Sequence, residues 1–258
     1  MDIVIFCGGR GTRLSEKTKD SPKPLVEIGS FPILWHIMKI FGYYGHNRFL
    51  LGLGYKGNLI KKWFLDYRIM RSFELNFKKF KLPNILEPWK ILFKNTGLNS
   101  GTAKRLALLE KDIKSKRFII TYGDGLADID INKLVEFHEK QVKKNKVIAT
   151  MSTFQPNSQY GLVKQGEKGL VGSFEEKSKL QEWINIGFIV CEKEIFEHLP
   201  NNDSAMLVGD VFPNLAKIKK LAMYKHDGEF YSMDTYKDYQ DLNNMWMGGK
   251  AKWKIWKK

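Results

Sequence analysis

The chain has 258 residues with 43% hydrophobic and 13% aromatic content, enough to bury a sizeable core and too apolar for a disordered segment. No run reaches the roughly 20 apolar residues of a membrane span, and the two cysteines, Cys7 and Cys191, form no CxxC pair, which argues against a disulfide framework or a zinc site. The net charge of +15 is spread along the whole sequence and only seven of the 43 basic residues are Arg, so it reads as a solvated surface that attracts small polyanions, not as a nucleic-acid reader.

Ile3 to Phe6 reads as a short apolar strand ending at Cys7-Gly8-Gly9, too short for a signal-peptide core, so a cytoplasmic protein is expected. After Pro32, Ile33, Ile37, Ile40 and Tyr44 recur at helical spacing, and Leu34, Met38 and Phe41 add a second stripe, the pattern of a helix buried on most sides. Phe49 to Leu53 is a strand and Lys56 to Asp66 a helix. Ser72 to Phe80 and Lys90 to Asn95 read as strands around a Pro-containing stretch, and residues 68–95 are expected to form an insertion that mediates oligomer contacts. Thr102 to Glu110 is helical, and Phe118 to Thr121 is a central strand that stops at Tyr122-Gly123-Asp124-Gly125. A helix over Ile131 to Val142 and a strand over Val147 to Thr153 follow. Tyr160 to Cys191 is β-rich, with turns near Gly166 and Gly169. A helix over Val208 to Lys217, a strand over Leu221 to Lys225 and a helix after Thr235 complete the pattern. Strand and helix alternate, which predicts one α/β domain over 1–258: a mostly parallel sheet flanked by helices, with a small β-rich insertion. The Lys/Trp-rich tail, Lys250 to Lys258, is a candidate for touching a membrane surface, although it is too short for an amphipathic helix.

Two strings carry chemistry. Gly8-Gly9-Arg10-Gly11-Thr12-Arg13-Leu14 directly follows the first strand, where glycines let backbone N–H groups approach phosphate oxygens. It is neither a P-loop nor a dinucleotide fingerprint. Ser21-Pro22-Lys23-Pro24-Leu25 follows, and its prolines restrict the backbone on both sides of Lys23, which aims that side chain as a phosphate clamp.

GGxGTRL followed by PKPLVEIG resembles the signature of the sugar nucleotidyltransferase superfamily. Pro32 to Lys39, Gly54-Tyr55-Lys56-Gly57, Glu87-Pro88-Trp89, Tyr122-Gly123-Asp124-Gly125, Met233-Asp234-Thr235 and the Trp-rich end together resemble the glucose-1-phosphate cytidylyltransferase family, from Ile3 to Trp256. The resemblance implies a Rossmann-like nucleotidyltransferase fold and a Mg²⁺-dependent attack of a sugar 1-phosphate on the α-phosphorus of CTP. It places Arg13 and Lys23 on the triphosphate and Asp124 and Asp234 on the metal. It implies nucleotide contacts from Phe6, Cys7, Gly8, Gly9, Arg10, Gly11, Thr12, Ser100, Thr102, Arg105 and Gly123. Glu175, Lys177 and Asn185 match its sugar-phosphate contacts, and a homo-oligomer is expected. Ser178, Ile186, Gln159-Tyr160-Gly161 and Leu207 to Val211 depart from the family strings near the acceptor.

The sequence leaves three other readings open. The same chemistry on a heptose 1-phosphate, on a phosphorylated non-sugar or with UTP is one. A nucleotide-binding regulator without turnover is another, although it keeps Lys23, Asp124 and Asp234, and a basic nucleic-acid-binding protein is the third.

Overall fold

The computed structural model describes residues 1–72, 87–158 and 160–256. An eight-stranded central sheet contains β1 Asp2–Cys7, β2 Arg48–Leu53, β3 Lys90–Asn95, β4 Arg117–Tyr122, β5 Ala149–Phe154, β6 Ile184–Asn185, β7 Ile189–Glu192 and β8 Leu221–Lys225. β3, β2, β1 and β4 lie side by side and parallel. β7 runs antiparallel between β4 and β5, β6 pairs with the far end of β5, and β8 lies parallel on the other side of β5. The architecture is therefore mixed α/β with a largely parallel sheet, as the alternation of strand and helix predicts.

β1 is buried along its whole length, because helices cover both faces of the sheet and no side of the strand meets water. Its side chains alternate. Ile3, Ile5 and Cys7 join one core with α1 (Ile33–Tyr43), while Val4 and Phe6 join the other with Leu106 and Leu109 of α3 (Thr102–Leu109). Among the described residues the other α-helices longer than one turn are α2 Gly57–Ser72, α4 Ile131–Asn145, α5 Phe212–Lys217 and α6 Tyr236–Met247. At the start of β1 the buried Asp2 carboxylate accepts from Arg48 at 2.5 Å and from the Lys114 and Ser115 backbone at 2.6 and 2.9 Å, which pins the central strand to its neighbours.

Two expectations change, and a third falls outside the described residues. β3 is an edge strand of the central sheet, joined in parallel to β2, and is not part of an insertion. Lys residues at its ends and an apolar middle suit a half-covered edge, and such an edge strand reads like an isolated ribbon when only its neighbours in sequence are considered. The expected strand over Ser72 to Phe80, apart from Ser72 where α2 ends, and half of the expected insertion lie outside the described residues. The helix expected over Val208 to Lys217 is a single wide π turn, Leu207–Val211, followed by α5.

The Lys/Trp-rich tail is also corrected, because it belongs to the core. Trp253 is fully buried, 5.3 Å from Tyr231 and edge-on to His36 at 6.4 Å between ring centroids. Trp246 and Trp256 close around the same imidazole. Burial lowers the His36 pKa to about 4, so the ring is neutral, and its Nε2 lies 3.0 Å from the Ile28 carbonyl. Alternating Trp and Lys suggests an interfacial segment, but here the indoles pack over the start of α1 and leave Lys250, Lys252 and Lys254 outside. Among the described residues no helix is long and apolar enough to cross a membrane. Trp253→Ala should cost about 3–5 kcal/mol in urea denaturation, whereas a peripheral tail residue would leave the midpoint unchanged.

Candidate active site

A cavity of about 330 Å³ opens at the carboxyl ends of β1 and β4, where open α/β sheets bind ligands. Its walls include Phe6, Cys7, Gly8, Gly9, Gly11, Thr12, Arg13, Lys23, Ser100, Thr102, Arg105, Gly123, Asp124 and Asp234. Pro24, Tyr122 and Met206 complete the lining; the sequence assigns Pro24 only the aiming of Lys23, and Tyr122 and Met206 no role. Tyr122 sat in the recognised Tyr-Gly-Asp-Gly string, whereas Met206 carried no signal.

The glycine loop is shaped from below. Thr18 Oγ1 donates to the carbonyls of Gly11 and Leu14 at 2.9 and 2.8 Å, and Gly11 takes φ +64°. A Cβ on Gly8 would lie 2.1 Å from Arg105 Nη1, while one on Gly9 would meet nothing within 4 Å, so the loop is sealed on one side and open to a ligand on the other. Cys7 is a buried wall whose thiol pKa is pushed up by burial, which removes it as a nucleophile.

Lys23 stands in a tight turn between its two prolines, closed by Leu25 N–H donating to Pro22 O at 2.8 Å. The side chain, 11% exposed, reaches Asp124 Oδ2 at 2.9 Å and Asp234 Oδ1 at 2.8 Å, with Arg13 Nη1 3.5 Å from the same Asp234 oxygen. Burial alone would lower the Lys23 pKa, but the Asp124 and Asp234 charges outweigh it and hold the ammonium above its ordinary value. Burial likewise opposes ionisation of Asp234, and hydrogen bonding and charge from Lys23, helped by Arg13, keep its carboxyl below the ordinary range.

The carboxylates meet because two short strands, Gly125–Ala127 and Phe230–Ser232, pair antiparallel, and Met233 N–H then donates to Asp124 O at 3.0 Å. A capping box starts α6: Asp238 Oδ2 accepts from Asp234 and Thr235 N–H at 3.0 and 2.8 Å, and Thr235 Oγ1 accepts from Asp238 N–H. Among the described residues no three His, Cys, Asp or Glu side chains group as a metal cage. Asp124 and Asp234 do converge on one cation, the Lys23 ammonium, and this suits an ion that takes two carboxylates and fills its shell with phosphate oxygens and water.

The predicted nucleotide contacts separate into two kinds. Arg105 lines the cavity, yet it is 5% exposed and its guanidinium donates to Thr96 Oγ1 and to the carbonyls of Gly97, Leu53, Gly8 and Leu98. Thr102 Oγ1 accepts from Leu207 N–H at 2.8 Å, which ties the start of α3 to the π turn. Arg10 turns away to Asn99 Oδ1 at 3.2 Å and does not line this cavity. A second cavity of about 250 Å³ shares Tyr122, Asp124 and Asp234 and is walled by Asn185, Ser232, Phe230 and Ile184. The Asn185 side chain there accepts from Gly187 N–H at 2.9 Å. Glu175 and Lys177 lie on and beside an exposed hairpin, Leu162–Gln165 with Val171–Glu175, and line neither cavity.

A sheet of this order with a glycine loop, a clamped lysine and paired aspartates at its carboxyl edge defines a nucleotidyltransferase, and residues 3–253 match the Nucleotidyl transferase family. A probable glucose-1-phosphate cytidylyltransferase of Bacillus subtilis is 42% identical over 99% of this chain and all of that protein. The glucose-1-phosphate cytidylyltransferase of Salmonella typhi is 38% identical over the same shares. The chain belongs to this family of sugar nucleotidyltransferases, whose members use a nucleoside triphosphate, a sugar 1-phosphate and, in general, a divalent metal ion. Among solved structures, UDP-glucose pyrophosphorylase of Acinetobacter baumanii shares the fold at a TM-score of 0.68 and 14% identity, over 95% of this chain and 92% of that one.

The Lys23 contact fixes a pH dependence. Because the folded Asp234 pKa is depressed, its stabilisation is complete above the unfolded value of about 3.9 and fades as pH falls through the lower folded value. Acid titration followed by circular dichroism should show this limb in the parent chain and a flatter one in Asp234→Asn.

Proposed function

We propose that the larger cavity binds CTP with its phosphates along Gly8 to Arg13, and that the smaller one receives glucose 1-phosphate. An oxygen of the sugar phosphate attacks the α-phosphorus, the bond to pyrophosphate breaks, and CDP-glucose forms. The observation that carries this reading is that the two cavities share Asp124 and Asp234, the pair that Lys23 contacts from the first cavity, the place where the reacting phosphate must sit. The names of the 42% and 38% identical full-length relatives support the choice of CTP and glucose 1-phosphate.

The residues divide the work. Lys23 donates to the α-phosphate and offsets the charge that grows there, and Arg13, exposed at the rim, holds the departing pyrophosphate. Backbone N–H groups at Gly8, Gly9 and Gly11 line the phosphate path, with Phe6, Cys7, Thr12 and Gly123 as its walls. Ser100 and Thr102 face the base and ribose. Arg105 acts indirectly, by bracing the Gly8 carbonyl and the Thr96 to Leu98 turn. Asn185 serves the acceptor; Glu175 and Lys177 join it only through movement of the hairpin that carries them. A Mg²⁺ ion held by Asp124 and Asp234 would supply positive charge to the phosphate oxygens. The same reading makes the chain a single catalytic domain, working in the cytoplasm as a homo-oligomer, a state that light scattering on the purified protein decides.

Pyrophosphate release measured with each of four ribonucleoside triphosphates and a panel of phosphorylated acceptors should be fastest with CTP and glucose 1-phosphate. Lys23→Ala or Asp124→Ala should lower kcat by about 10²–10³ with the fold intact; near-parent rates would defeat the site assignment. UTP or another acceptor as the preferred substrate would keep the mechanism and move the specificity. In the free chain, Lys23→Ala should tighten Mn²⁺ binding more than Arg13→Ala. Both remove one positive charge beside Asp234, but only the first vacates the space between the carboxylates. Equal effects would reduce Lys23 to a neighbouring charge.

A further inference from the structure

Asp124 and Asp234 hang from one end of the ladder formed by Gly125–Ala127 and Phe230–Ser232, and the opposite end is closed by Asp128. There Asp128 Oδ1 accepts from Glu229 N–H at 2.7 Å and lies 3.0 Å from His226 Nε2, while Asp128 N–H donates to Glu229 O at 3.4 Å. His226 is buried, and its backbone N–H donates to Thr153 O of β5 at 2.8 Å, so the closure also fastens the ladder to the central sheet. A Cβ on Gly228 would lie 2.2 Å from Asp128 Oδ1, so only glycine allows the turn to fold this tightly over the carboxylate.

This arrangement matters because the ladder is very short. Its pairs are Ala127 with Phe230, Leu126 with Tyr231 and Gly125 with Ser232. Two-stranded pairs of this length hold register weakly on their own, and a slip of one residue turns every side chain to the other face. Such a slip would carry Asp234 away from Asp124 and from Lys23. Packing of Leu126, Ala127 and Met233 in the core resists it, the capping box of α6 holds the near end, and Asp128 holds the far end.

We infer that Asp128 is a positioning residue for the reaction: its clasp on Glu229 and His226 sets the register in which Asp124 and Asp234 converge. This rests on the assignment of those two carboxylates to the metal and the reacting phosphate. Asp128 touches neither of them and acts only through the ladder.

The test compares the full chain with Asp128→Ala, Asp128→Asn and Asp124→Asn. Three quantities are read: Mn²⁺ affinity by electron paramagnetic resonance, kcat and KM for CTP, and hydrogen exchange of the amides at 125–127 and 230–233. Asp128→Ala should weaken Mn²⁺ binding and lower kcat by about tenfold or more, with little change in KM. Its ladder amides should exchange faster, and Asp128→Asn, which keeps an acceptor for Glu229 N–H but loses the charge facing His226, should recover only part of the loss. Parent Mn²⁺ affinity and kcat in Asp128→Ala, at a temperature where it is fully folded, would overturn the inference and leave Asp128 as turn glue. If that variant does not fold, Asp128→Asn carries the test: a severalfold loss of both quantities supports the clasp, and parent values overturn it. Asp124→Asn binding Mn²⁺ as tightly as the parent would bring down the metal assignment, and this inference with it.

Discussion

The site depends on one ammonium held between two carboxylates. Lys23, Asp124 and Asp234 come from three distant parts of the chain, and bringing two like charges together is unfavourable unless a cation lies between them. Taking Lys23 out of water is itself costly, and the structure offsets that cost with two carboxylate contacts of normal hydrogen-bond length. The arrangement is balanced for exchange. Phosphate oxygens arriving in the cavity compete with the carboxylates for the lysine, and a cation arriving between the carboxylates competes with the lysine for them.

The surrounding fold reads as the means of holding these groups still. Two prolines fix where Lys23 starts. Burial of β1 on both faces fixes where the glycine loop leaves the sheet, and the Asp2 contacts with Arg48 and the 114–115 backbone anchor its other end. Arg105 is the least expected part of this support. A buried guanidinium needs nearly every donor satisfied, and it finds carbonyls from three separate loops around the cavity floor. Losing it would unfasten all three at once.

How much of this the sequence revealed depended on whether a residue's role is local. Lys23 between prolines, the glycine loop after β1 and Asp124 between glycines are legible because the backbone constraint sits beside the functional side chain. Arg105 matched a nucleotide contact in motif order, but motif order does not show that its donors are taken by carbonyls distant in sequence. Asp128 was hidden for a similar reason. It lies two residues before Asp130, the N-cap of α4, and an acidic pair before a helix suggests capping alone. β3 was found as a strand and misplaced, because parallel pairing joins segments that no local pattern connects. The Trp-rich tail was misread because periodicity does not identify what covers an indole.

The enclosure of His36 by Trp246, Trp253 and Trp256 also governs the order in which the molecule can be finished. As the chain is synthesised from its amino terminus, β1 waits for residues 117–122 before it has a partner on its second side. The start of α1, made early, stays uncovered until Trp246, Trp253 and Trp256 are available to pack on it. This end of the apolar core is therefore closed by contacts of long sequence separation, and a chain that has already formed its sheet still carries an exposed helix end until they are made.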